Sequence, residues 1–121
     1  MSIDKALVEY KDFVDRGVSL ENDTLRERLL LASLGLAGET GEVVDHIKKN
    51  VFHGKDILAS DIVKELGDVL WYYTLLCTTL GIDWEWIVNE NVAKLTARYP
   101  HKHIPGYIDG NQVNNQDLDS A

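Results

Sequence analysis

Cysteine is nearly absent from this chain: Cys77 is its one cysteine. One cysteine closes no internal disulfide, and it reads as a small buried hydrophobe in a reducing compartment. Long apolar runs are missing too. The longest, residues 69–82, falls short of the ~20 residues that span a bilayer and is interrupted by Thr74, Thr78 and Thr79. At the amino end no basic segment precedes an apolar one, so no signal peptide is expected. These features point to a cytoplasmic protein. Basic charge is also scarce, with 12 Lys and Arg against 20 Asp and Glu and a net charge of −8. That balance argues against general affinity for nucleic acid or for an anionic membrane. It leaves room for a small polyphosphate, because a bound metal ion reverses the local field. No segment alternates with period two, so no sheet is expected, and neither an internal repeat nor a low-complexity tract is visible.

What remains is helical periodicity. At 121 residues, 45% apolar and 26% charged, the chain fits one soluble globular domain. Apolar residues Ile3, Ala6, Leu7, Tyr10, Phe13 and Val14 repeat at helical spacing, and Gly17 is a natural stop, so a packing helix is expected over 3–16. A second begins near Thr24, where Thr24 and Glu27 form a capping-box pattern. It runs to about Asn50, loosened near Gly35, Gly38 and Gly41, since a helix-interior glycine costs about 1 kcal/mol against alanine. Glycine is tolerated where backbone or ligand must approach closely. Residues 50–59 read as a connection. A third helix starts at Ser60 or Asp61 and ends at Leu80 before Gly81, with Ile62, Leu66, Val69, Leu70, Tyr73, Leu76 and Cys77 on its core face. A fourth, capped by Asp83, runs to Tyr99 and is ended by Pro100. The expected fold is all-α: an antiparallel bundle of four to five helices, extended by homo-oligomerisation. The bundle occupies 1–105, and 106–121 is a polar, acidic, mobile tail.

Two carboxylate pairs stand out on this frame. Glu39 and Glu42 are spaced i, i+3, and so are Glu65 and Asp68, so each pair lies on one helix face. A single pair of this kind is usually a solvated face. Here Glu39 follows an apolar stretch, and Glu65 and Asp68 head the most apolar helix. Carboxylates that close to a core are rarely left without partners. Oxygen-only ligation suits Mg²⁺, with Mn²⁺ as a substitute, and both ions bridge to substrate phosphates. A di-iron centre would need Glu-x-x-His on two helices, and none of the four histidines stands three residues after a glutamate. No Cys/His zinc spacing and no Gly-x-x-x-x-Gly-Lys phosphate loop occurs. Asn91, Lys94 and Arg98 share a face at i, i+3, i+7, suited to phosphate oxygens. A solvated basic patch at a helix C-terminus is the competing reading.

These segments carry a resemblance. Leu36-Ala37-Gly38-Glu39-Thr40-Gly41-Glu42-Val43, Lys64-Glu65-Leu66-Gly67-Asp68-Val69-Leu70-Trp71 and Asn91-Val92-Ala93-Lys94-Leu95-Thr96-Ala97-Arg98 together resemble the MazG-like nucleotide pyrophosphohydrolases, within the all-α NTP pyrophosphatase superfamily. The resemblance spans about residues 24–100. It implies Mg²⁺-dependent hydrolysis of a ribo- or deoxyribonucleoside triphosphate at the α-phosphorus, giving the monophosphate and pyrophosphate. By matching positions it implies Glu39, Glu42, Glu65 and Asp68 as metal ligands and catalytic carboxylates. Lys94 and Arg98 would hold the triphosphate, Asn91 would be a nearby polar contact, and Tyr72, one turn beyond Asp68, would approach the nucleotide. It also implies a homodimer or homotetramer with sites completed near subunit interfaces. Many relatives begin the first motif with two adjacent glutamates; here the leading position is Gly38, which leaves the general base among the remaining carboxylates or with metal-activated water.

Two other functions fit the same residues. One is an inert helical module that binds a nucleotide or a protein. The other is a related pyrophosphohydrolase acting on dUTP or phosphoribosyl-ATP. Trp71, Trp84 and Trp86 are expected in core or interface, and His101 and His103 as structural. Asp45 stands three residues after Glu42 as a candidate outer partner. Lys48, Lys49 and Lys55 are expected in a solvated loop region.

Overall fold

A computed structural model of the protein describes residues 3–100. Its elements are four helices: α1 Ile3–Arg16, α2 Leu25–His53, α3 Ala59–Leu80 and α4 Trp84–Arg98. No strand occurs among the described residues. The tail expected over 106–121, and His101 and His103, lie outside them.

The helix ends follow from local chemistry. Thr24 is extended and its Oγ1 accepts the Glu27 backbone N–H at 3.1 Å, which satisfies one of the free donors of the first turn of α2. The Thr24 hydroxyl in turn donates to Glu27 Oε1 at 3.1 Å. At the far end Gly54 takes the left-handed conformation, φ 65°, and its N–H returns to the Asn50 carbonyl. The helix therefore continues past Asn50 to His53, and Gly54, with no Cβ to oppose it, takes that turn. The connection shortens accordingly, and α3 begins at Ala59. At its other end Gly81 stops it in the same way, with φ 66°. The expected loosening of α2 is absent, for the helix is unbroken through Gly35, Gly38 and Gly41.

Residues 1–83 form one compact unit, in which α2 packs along α3 and α1 also packs on α3. Val14, Ala32 and Leu75, one residue from each helix, are fully buried at its centre. Tyr10, Val18, Leu31, Trp71 and Leu76 surround them. The buried face of α3 differs from the expected one. Thr74, Leu75 and Cys77 are buried, whereas Leu66 and Leu70 are exposed. In a helix this apolar, periodicity does not say which stripe meets the neighbours; α3 is covered where α1 and α2 both reach it. On α1 the same ambiguity buries Val14 and exposes Phe13.

The second unit begins at Trp84. Within it α4 carries Glu85 in its first turn and Arg98 in its last, the order that suits the helix dipole. Asn91, Lys94 and Arg98 follow one another along one face of α4. Among the described residues no helix is long and apolar enough to cross a membrane.

Candidate metal centre

Because α2 is continuous through its glycines, Glu39 and Glu42 stand one turn apart on it. Glu65 and Asp68 stand one turn apart on α3. The packing of α2 along α3 brings three of the four together. Glu39, Glu65 and Asp68 each present a carboxylate oxygen, all within 4.8 Å of one another. Glu42 is exposed and has no oxygen in that set. Its charge still acts on Glu39. The Glu39 carboxyl lies above the usual carboxylate range, first through lost hydration, then through the charges of Asp68, Glu65 and Glu42.

The surroundings of the cluster are aromatic on one side and polar on the other. Trp71 and Tyr72 meet edge to face, with ring centroids 5.0 Å apart. With Glu39 and Asp68 they line an open pocket of about 300 Å³. The Tyr72 ring lies over Gly35 of α2, where a Cβ would overlap it. Gly35 is thus the glycine that a close approach requires; nothing lies within 4 Å of the Cβ positions at Gly38 and Gly41. On the α1 side, the phenol of Tyr10 is held above its ordinary value, chiefly by burial and then by the charge of Asp68.

Two neighbours of the cluster differ from the sequence reading. Asp45, the candidate outer partner, bonds Lys49 at 2.7 Å instead, and that bond is the first cause of its lowered carboxyl pKa. The next residue, His46, reaches across to α3, with Nε2 3.2 Å from Glu65 Oε1. His46 follows Glu39 by seven residues, two helical turns, which is the spacing that could have found it. Of the lysines expected in a loop region, Lys48 and Lys49 belong to α2; Lys49 and Lys55 help line a small pocket of about 80 Å³ beside His46.

The donor set fits a hard divalent cation. All three groups offer carboxylate oxygen, the ligand that Mg²⁺ and Mn²⁺ prefer. The oxygens of the three groups already lie within 4.8 Å of one another, and side-chain rotations would bring them onto one cation. A cation there would also relieve the mutual repulsion that acts on Glu39.

The model of the MazG nucleotide pyrophosphohydrolase domain matches residues 28–103, more than half of the chain. The chain belongs to the MazG family. Glu39, Glu42, Glu65, Asp68, Tyr72, Asn91, Lys94 and Arg98 all fall within the match. Enzymes of the MazG family generally depend on a divalent metal, and the three converging carboxylates are of the type such a metal takes. A curated relative, the Gene 37 protein of Mycobacterium phage L5, is 33% identical over 85 residues, 66% of this chain and 74% of that protein. No solved structure matches the chain significantly.

Proposed function

We propose that this MazG protein hydrolyses a nucleoside triphosphate to the monophosphate and pyrophosphate with Mg²⁺. The observation that carries the proposal is the meeting of Glu39, Glu65 and Asp68 across two packed helices in a chain of this family. A divalent cation bound there lowers the pKa of a water and neutralises charge on the phosphate chain. Glu39, Glu65 and Asp68 would hold it, with Glu42, one turn from Glu39, as the fourth carboxylate of the set. With glycine at position 38, the general base would be one of these four carboxylates, or the water would be activated by the metal alone. The Tyr72 and Trp71 rings beside Glu39 and Asp68 offer an apolar wall of the kind a nucleoside packs against. Lys94 and Arg98 are suited to hold the β- and γ-phosphates, Arg98 in a bidentate way, with Asn91 as a neighbouring polar contact. Attack at the α-phosphorus, as the family resemblance implies, would leave the oxygen of the water on the monophosphate.

We assign the working form as an oligomer of this chain. The second half of α2 exposes Val44, Ile47, Val51 and Phe52 in a row, and with Val43 they form an apolar groove. Apolar rows of this kind mark interaction surfaces.

Incubation with each ribo- and deoxyribonucleoside triphosphate and Mg²⁺ in ¹⁸O-water tests the reaction. The expected products are pyrophosphate and a monophosphate carrying the ¹⁸O. Inorganic phosphate as the labelled product, or full turnover in Glu39→Gln, Glu65→Gln and Asp68→Asn alike, overturns the proposal.

A further inference from the structure

His46 and Glu65 form a side-chain bond from α2 to α3, with Nε2 3.2 Å from Oε1. Both side chains are half-buried, at 35% and 23% exposure, so water competes for the bond less than at an open surface. Glu65 is one of the three converging carboxylates. An ionised carboxylate only accepts hydrogen bonds, so the hydrogen must reside on Nε2. A carboxylate has about four lone-pair sites on two oxygens, so this bond leaves ample capacity for a cation. The neighbouring Asp45 points to Lys49 instead, at 2.7 Å. Glutamate turns about three side-chain bonds, and a ligand that swings freely must be immobilised each time a cation binds. A fixed donor does that in advance.

We propose that His46 is a positioning residue for the metal centre: its Nε2–H holds the Glu65 carboxylate within reach of Glu39 and Asp68. This rests on the reading of those three groups as cation ligands. The side-chain amide nitrogen of glutamine stands close to where Nε2 stands, whereas that of asparagine stands near Nδ1 and falls short of Glu65. The two amides therefore separate the bond from mere occupancy of the site.

The test is Mn²⁺ binding to the full chain without nucleotide, followed by the electron paramagnetic resonance of free Mn²⁺. Wild type, His46→Gln, His46→Asn, His46→Leu, Glu65→Gln and the His46→Leu/Glu65→Gln double variant are compared, each first shown folded by circular dichroism. The expected result is that His46→Gln binds within about threefold of wild type. His46→Asn and His46→Leu bind about 10-fold or more weakly, the usual range for loss of an outer hydrogen bond to a ligand. The double variant binds no worse than Glu65→Gln, because the effect of His46 passes through Glu65. Wild-type affinity in His46→Asn and His46→Leu, with Glu65→Gln impaired, overturns the role of His46 and leaves the metal centre standing. Equal weakening in all three His46 variants overturns the Nε2–H bond as the cause. Wild-type affinity in Glu65→Gln, or no Mn²⁺ uptake by wild type, removes the metal reading and this proposal with it.

Discussion

Gly35 of α2 lies under the ring of Tyr72 of α3, so close that a single added carbon at Gly35 would overlap it. Tyr72 in turn lines the pocket beside Glu39 and Asp68, so one missing side chain sets both the helix spacing and the wall of the site. Gly35→Ala should gain up to about 1 kcal/mol of helix propensity. It should lose more, about 1–3 kcal/mol, because a rigid ring must move out of a packed interface. Urea denaturation should show a net loss of stability. In a Tyr72→Ala background the same substitution should stabilise instead, because the overlap is gone. A stabilising Gly35→Ala in the otherwise wild-type chain would show that the ring yields freely.

Gly38 and Gly41 behave differently. Their Cβ positions are open, and both lie inside an unbroken helix. Gly38→Ala and Gly41→Ala should each raise stability by about 0.5–1 kcal/mol, the propensity difference alone. Urea midpoints check this. A loss of activity alongside the gain in stability would mark where substrate or cation approaches the backbone.

Much of this architecture was legible from local signals. The bounds of α1, the capping pair Thr24 and Glu27, and the stop at Gly81 all appear where the sequence indicates, because each depends on a few adjacent residues. The end of α2 was not, since Asn50 and Gly54 are both acceptable stops and the left-handed turn decided for Gly54. The exposure of Leu66 and Leu70 was hidden because nearly every face of α3 is apolar. At the site, the i, i+3 spacing marked Glu39, Glu65 and Asp68. The part played by His46 depends on the register of α2 against α3, a long-range fact that no window of sequence carries.

Thr74 is fully buried in α3, and its hydroxyl has no hydrogen-bond partner among the described residues. A buried hydroxyl without a partner keeps its desolvation cost, about 1–3 kcal/mol. Valine has the same branched shape without that group. Thr74→Val should therefore raise stability, by about 1 kcal/mol when helix propensities so similar are set aside. Thermal unfolding measures it; a clear loss would mean that the hydroxyl is satisfied in solution.

Arg28 joins three parts of the first unit. Its Nε donates to Asp23 Oδ1 at 2.6 Å and its Nη1 to Asp15 Oδ1 at 3.0 Å. The bond from Arg28 is the main reason that the Asp23 carboxyl lies below its ordinary value. A carboxyl lowered by folding stabilises the fold above its unfolded pKa, and that contribution is lost as the pH falls through the folded value. Asp23→Asn, which keeps a residue tolerant of the positive φ of 46° at this position, should thus be less stable than wild type at neutral pH. The gap should close as the pH falls below the usual carboxylate range, and shrink in high salt because the pair is exposed. Equal gaps at pH 7 and pH 3, in chemical denaturation, would contradict the assignment.

A cluster of like charges and a metal centre make opposite demands on the same residues, and Asp68 separates them. Without cation, the charges of Asp68, Glu65 and Glu42 act against ionised Glu39. Removing one of them relieves the repulsion, so Asp68→Asn should melt higher than wild type when both are stripped with chelator. With Mg²⁺ added, wild type should gain stability in proportion to occupancy, by RT ln(1 + [L]/Kd), while Asp68→Asn should gain little. The order of the two melting temperatures should therefore reverse as Mg²⁺ is titrated in. If Asp68 served only as a solvated surface charge, neither the initial order nor the reversal would appear, and Mg²⁺ would shift both proteins alike.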